Sequence, residues 1–135
     1  MIHPYIHFQG NCREAMEAYQ SILGGKLELM GYDQMPDAPD DLAKSDLVMH
    51  AWLNSPLGDF GGSDFPPGEE GDPQKAVTIS LTIDDPDTSE KTFGALMEGG
   101  ALIQAYGPSF FAAGFGMGKD RFGTHWMVMV GASPA

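Results

Sequence analysis

At 135 residues, 42% of them hydrophobic, the chain has the size of one domain with one core, and no apolar run approaches the ~18 residues of a membrane-spanning helix. Nineteen acidic against seven basic residues leave a formal net charge of −12, which repels nucleic acid and anionic membrane alike, and the single cysteine, Cys12, excludes an internal disulfide and a cysteine-type zinc site. With no basic segment leading into an apolar one at its start, Met-Ile-His-Pro-Tyr, the chain is expected in the cytoplasm.

Residues 2–8 alternate with the period of a strand, Ile2, Pro4, Ile6 and Phe8 on one face and His3, Tyr5 and His7 on the other. Gly10-Asn11 breaks it, and Asn11 is placed to cap a helix over Cys12–Leu23, on which Ala15, Met16, Tyr19, Ile22 and Leu23 recur at helical spacing. Gly24-Gly25 ends that helix. Residues 26–32 read as a strand and the Pro- and Asp-rich stretch 33–45 as a loop. The next strand, 46–54, sets Leu47, Met49, Ala51 and Leu53 against Val48, His50 and Trp52, and 55–58 turns it back into a Gly-rich strand over 59–64. Residues 65–75, with Pro-Pro-Gly-Glu-Glu-Gly-Asp-Pro among them, have the composition of a linker.

The second half begins with a strand over 76–84, in which Ile79, Leu81 and Ile83 alternate with Thr78, Ser80 and Thr82. A helix over 88–98 follows, its Phe93, Leu96 and Met97 standing 74 residues after Tyr19, Ile22 and Leu23, and Gly99-Gly100 repeats Gly24-Gly25. Then come a strand over 101–106, a loop over 107–114 carrying Phe110-Phe111, and a hairpin over 115–130 that turns through 119–123. Each half is therefore strand, helix, then three strands: modules 1–64 and 76–131 of a single domain, 1–135. One helix covers one face of each sheet, and a repeat at this offset predicts that the two uncovered faces turn towards each other.

The segments Pro4-Tyr5-Ile6-His7-Phe8-Gln9-Gly10-Asn11-Cys12-Arg13-Glu14-Ala15, Met49-His50-Ala51, Gly62-Ser63-Asp64 and Asp120-Arg121-Phe122-Gly123-Thr124-His125-Trp126 resemble the PhnB-like branch of the vicinal oxygen chelate superfamily. That superfamily contains glyoxalase I, extradiol dioxygenases, fosfomycin-resistance enzymes and bleomycin-binding proteins. The resemblance spans nearly the whole chain. It implies an α+β fold in which two βαβββ modules form a U-shaped mixed-sheet cleft, the glyoxalase/bleomycin-resistance fold, and it implies a homodimer. In metal-dependent members a divalent ion takes ligands from the first and last strands of each module. Carried over, these positions fall on Thr78, Met127, the stretch Gly61 to Ser63, and His3 or Pro4, which leaves one ligand at most where a catalytic metal needs three. No metal and no other cofactor is expected.

The expected function is metal-independent binding of a small organic molecule by Tyr5, His50, Trp52, Ser80 and His125. His50 and Trp52, one pleat apart, suit a flat or carbonyl-bearing ligand by stacking and hydrogen bonding, or simply pack a cavity mouth. Asp64 joins the set as a group that orients His50 or acts as a base, the other reading being that it caps the turn before Pro66. Tyr106 and Phe110, with Phe111 and Met127, add apolar surface that would equally seal a dimer interface or a scaffold. The alternative is a glyoxalase-type lyase, isomerase or oxygenase with a metal site rebuilt from His3, His7, His50 and His125, all on polar strand faces. Gly114-Phe115-Gly116-Met117-Gly118 matches no phosphate-binding pattern, Cys12 and the serines lack a nucleophile elbow, and no glycine motif for a methyl donor is present.

Overall fold

Two stretches of chain arrive at one pattern by the same local rules. The structure, a computed structural model describing residues 1–131, divides into a unit of Met1–Pro73 and a second that starts at Gln74. The first contains β1 (Tyr5–Phe8), α1 (Cys12–Leu23), β2 (Lys26–Gly31), a 3-10 turn at Tyr32–Gln34, the single helical turn α2 (Asp40–Ala43), β3 (Val48–Ser55) and β4 (Gly58–Asp64). The second contains β5 (Thr78–Thr82), α3 (Pro86–Met97), β6 (Ala101–Gly107), β7 (Phe115–Lys119) and β8 (His125–Met129). Their sheets are ordered β1-β4-β3-β2 and β5-β8-β7-β6. In each the first strand runs parallel to the last and the other pairs are antiparallel. The fold is thus α+β with two mixed sheets, each a βαβββ arrangement.

Each helix covers one sheet face with residues at the predicted spacing. α1 buries Cys12, Ala15, Met16, Tyr19 and Leu23, and α3 buries Ser89, Thr92, Phe93, Leu96 and Met97, so Tyr19 and Phe93 occupy matching places. Burying an aromatic or aliphatic side chain of this size is worth roughly 1.5–3 kcal/mol, so each seam stabilises its unit by holding the helix to its sheet. The helix exits match as well. Gly24 and Gly99 take the left-handed φ values +80° and +77°, and a Cβ on Gly25 or Gly100 would run into the carbonyl of Asn54 or Lys119. Both doublets are glycine because the chain turns sharply and presses directly on the neighbouring strand.

Several local details depart from the sequence reading. β1 begins at Tyr5, and Ile2 is fully exposed instead of joining the core. Asn11 makes no side-chain cap bond; the N–H groups of Gly10 and Cys12 donate instead to Asp64, at 3.0 and 2.9 Å. α3 starts at Pro86, two residues early, because Asp85 accepts the Thr88 N–H at 2.8 Å and proline suits the first turn. Between β2 and β3 the register runs Met30 with His50 and then Gly31 with Val48, which leaves Met49 as an extra residue. That bulge turns Val48, at 0% exposure, to the helix side with Ala51 and Leu53, off the face it was expected to share with His50 and Trp52.

The stretch with linker composition is fastened to the first unit. Phe65 N–H donates to the Phe8 carbonyl at 2.8 Å, Gln9 Nε2 donates to the Glu69 carbonyl at 2.7 Å, and Gly71 N–H donates to Gln9 Oε1 at 3.0 Å. Among the described residues no helix is long and apolar enough to cross a membrane.

Candidate functional site

The helix-free face of the first sheet gathers the aromatic residues that alternation put on one side of β1 and β3. Tyr5 lies opposite Gly61 and His7 opposite Ser63 across β1 and β4; Trp52 lies opposite Gly61 on β4 and Glu28 on β2, and His50 opposite Met30. The rings form an unbroken file. Phe65 stacks on His7 at a centroid distance of 5.3 Å, His7 meets Tyr5 at 5.4 Å, and Tyr5 lies 5.7 Å from His50 with planes 14° apart. His50 in turn lies 6.3 Å from Trp52 with planes 18° apart, and His3 meets the edge of Trp52 at 5.1 Å. The Tyr5 hydroxyl and His50 Nδ1 are hydrogen-bonded at 2.8 Å. Tyr5 is 41% exposed, and His50 and Trp52 are half-buried.

Gly61 is the seat of this arrangement. A Cβ there would lie 2.6 Å from Trp52 Cε3 and 2.6 Å from the Ala51 carbonyl, so the indole rests directly on the β4 backbone. The Gly61-Gly62 pair inside a strand was the signal for such a close approach, and it was not read from the sequence. Nor was Phe65; His7 was placed on this face from the sequence, but as a candidate metal ligand, and the two extend the file beyond the expected ligand-binding set.

The expected site residues divide by position. Tyr5, His50 and Trp52 stand together. Asp64 is a correction: paired with Phe8, it points to the helix side, is only 2% exposed, and accepts the N–H groups of Gly10, Cys12 and Val48. Its carboxylate therefore ties the start of α1 to the start of β3, and it neither orients His50 nor caps the turn before Pro66. In the second unit, Ser80 lies opposite Met127 and His125 opposite Thr78 on the helix-free face, and His125 Nδ1 is buried without a hydrogen-bond partner. Tyr106 does not join them. It faces α3, where its hydroxyl donates to Ser89 Oγ at 2.8 Å and its ring meets Phe93 at 5.8 Å. There it lines a groove of about 560 Å³ with Glu90, Phe93, Met97 and Leu102. Phe110 is 100% exposed on a turn pinned by Ser109, whose Oγ accepts the N–H groups of Phe111 and Ala112. The β7–β8 turn is clipped by Asp120, a carboxylate given no role in the sequence reading, which accepts from Phe122 N–H, Thr124 N–H and Trp126 Nε1.

The donors present do not fit the superfamily's divalent metal. At Gly61 the place of a carboxylate side chain is filled by the Trp52 ring, Thr78 and Met127 offer no strong ligand, and His3, His7 and His50 are each packed against aromatic rings of the file, His50 with its Nδ1 hydrogen-bonded to Tyr5. Among the described residues no three His, Cys, Asp or Glu side chains are grouped to hold an ion. Cys12 offers no thiolate either: burial, and behind it the charge of Asp64, pushes its thiol up to about 12.

Compared with known proteins, the chain matches no family model. It is 38% identical to protein PA1353 from Pseudomonas aeruginosa, whose crystal structure it matches with a TM-score of 0.84 over 96% of this chain and 98% of the other. A solved structure from Bacillus cereus, described as a putative 3-demethylubiquinone-9 3-methyltransferase, PhnB protein, matches with a TM-score of 0.79 at 22% identity, over 96% of this chain and 98% of that one. A glyoxylase/bleomycin resistance protein/dioxygenase domain from Frankia sp. EAN1pec matches with a TM-score of 0.66 at 14% identity, over 98% and 97%.

Proposed function

Because the chain belongs to the vicinal oxygen chelate superfamily and has the glyoxalase/bleomycin-resistance fold, we propose that it is a cytoplasmic small-molecule-binding protein that holds a flat organic ligand against Tyr5, His50 and Trp52 without a metal. The observation that carries this reading is the near-parallel set of Tyr5, His50 and Trp52 rings on a helix-free sheet face, seated on Gly61. Aromatic faces that remain partly exposed lose little on ordering and gain about 0.5–1.5 kcal/mol per stacked pair beyond the area they bury. The ligand sits on β-strands rather than loops, so the rings are held in place before it arrives.

Tryptophan fluorescence tests this directly. Trp126 is fully buried with its indole N–H on Asp120, so a ligand that quenches emission acts on Trp52. A screen of neutral bicyclic aromatics and metabolites should find compounds that quench emission and raise Tm in the wild type and do neither in a Trp52→Ala, His50→Ala double variant. A broad screen without any shift, or a shift that survives in the double variant, would sink the proposal. A divalent ion retained through chelation and held by side chains on this face would do the same.

The proposal includes a homodimer. Leu102, Ile103 and Phe110 leave apolar surface exposed on the second unit, which a second copy would cover. Light scattering at micromolar concentration should give twice the chain mass, and a Phe110→Asp variant should lower it; a monomeric wild type would remove this part of the reading.

A further inference from the structure

We infer that Tyr5 fixes the tautomer of His50, so that the site presents hydrogen-bond donors to its ligand, and that the ligand is a neutral planar molecule with an acceptor, a ring carbonyl or an unprotonated ring nitrogen, in its plane. This rests on the stacking site proposed above. The Tyr5 hydroxyl and His50 Nδ1 are 2.8 Å apart, and one proton lies between them. A phenol is the better donor of the two and a neutral imidazole nitrogen the better acceptor, so the hydroxyl donates to Nδ1. A neutral imidazole has one N–H; with Nδ1 accepting, it is on Nε2. Among the described residues no partner is found for His50 Nε2 or for Trp52 Nε1, and neither is a buried orphan, so both reach solvent. Trp52 Nε1 is a donor and nothing else.

Two donors one pleat apart, on near-parallel rings, select a ligand edge that accepts. An anion also accepts, but Glu28 stands opposite Trp52, with Lys26 at 3.5 Å its one ion partner among the described residues, and the chain's formal net charge is −12. Both oppose a negative ligand and leave a neutral acceptor as the class that fits.

The test pairs two probes of nearly equal shape at about pH 8, above the ordinary imidazole range of about 6.5. Isoquinoline has a ring nitrogen acceptor and naphthalene has none. Isoquinoline should bind about threefold to tenfold more tightly, the measure of one net hydrogen bond, and 2-naphthoate should bind less tightly than isoquinoline. In ¹⁵N-resolved spectra of the ligand-free protein, His50 should show its proton on Nε2. In Tyr5→Phe, which keeps the ring and loses the hydroxyl, His50 should begin to exchange between tautomers and the ratio of isoquinoline to naphthalene affinity should shrink. Equal binding of the two probes overturns the inference and leaves the stacking site standing. A proton on Nδ1 of His50, or a Tyr5→Phe variant with tautomer and preference unaltered, overturns the role given to Tyr5. If neither probe binds, the site itself is wrong and this inference falls with it.

Discussion

Asp64 and Cys12 illustrate how far a single residue can be read in isolation. In the sequence, Asp64 is an acid at the end of a strand beside His50's sheet, which invites a catalytic role. In the fold it faces the helix and takes three backbone N–H groups. Removing it leaves those donors buried without an acceptor, and each charged hydrogen bond of this kind contributes about 1.5–3 kcal/mol. Asp64→Ala should therefore lower stability by about 3 kcal/mol or more in urea titration, and Asp64→Asn by less; a loss below about 1 kcal/mol in the alanine variant would contradict the tie it makes. Cys12 supplies a pH test. Its thiol is raised from an ordinary value of 9.0 to about 12, chiefly by burial, so the folded state holds its proton where the unfolded state has lost it. The contribution is whole below pH 9.0 and disappears as pH rises towards about 12. Urea midpoints should fall through that window, less so in Cys12→Ala, and the native thiol should resist a disulfide reagent at neutral pH. Tyr32 adds to the alkaline slope, since burial and the neighbouring Asp64 raise its hydroxyl too.

At the scale of elements, alternation was a sound guide wherever the ladder is regular, and failed where one residue was inserted. Tyr5 and His7, and His50 and Trp52, share a face as period-two spacing requires. Val48 does not, because the bulge at Met49 inverts the pattern on its N-terminal side. In β6, Leu102 and Tyr106 line the same groove beside α3, as even spacing requires, although the strand slips twice against β7. A bulge is a property of two strands, so one strand's sequence gives little sign of it. The glycine doublets were visible as helix stops, but their second members are needed for approach to a partner strand. Gly25→Ala and Gly100→Ala should each destabilise by about 1–3 kcal/mol, and by similar amounts, because each Cβ meets a carbonyl of the equivalent strand position. Gly61→Ala is the variant that reports on the site: it should shift Trp52 emission and abolish ligand-induced quenching while the protein stays folded. Unchanged emission would mean the indole does not rest on β4.

For the whole molecule, the charge of −12 and the internal repeat are the dominant facts. Like charges on one small chain repel, and salt shortens their reach from about 30 Å at 0.01 M to about 8 Å at 0.15 M, so Tm should rise over that range. A fall would mean that screened attractions outweigh the repulsion. The repeat was legible because a helix seam at 3.6 spacing, a Gly-Gly stop and strands of alternating character recur at a constant offset, all of them patterns that neighbouring residues impose on one another. Those short-range patterns determined the α+β class, the two βαβββ units and the face on which Tyr5, His50 and Trp52 lie. Tertiary structure alone decided that Asp64 serves the backbone, that Tyr106 belongs to α3, that Gly61 receives the Trp52 ring and that Tyr5 bonds His50. Each of these joins residues from different elements, and such contacts depend on strand order and register, which appear only when the sheet has been assembled.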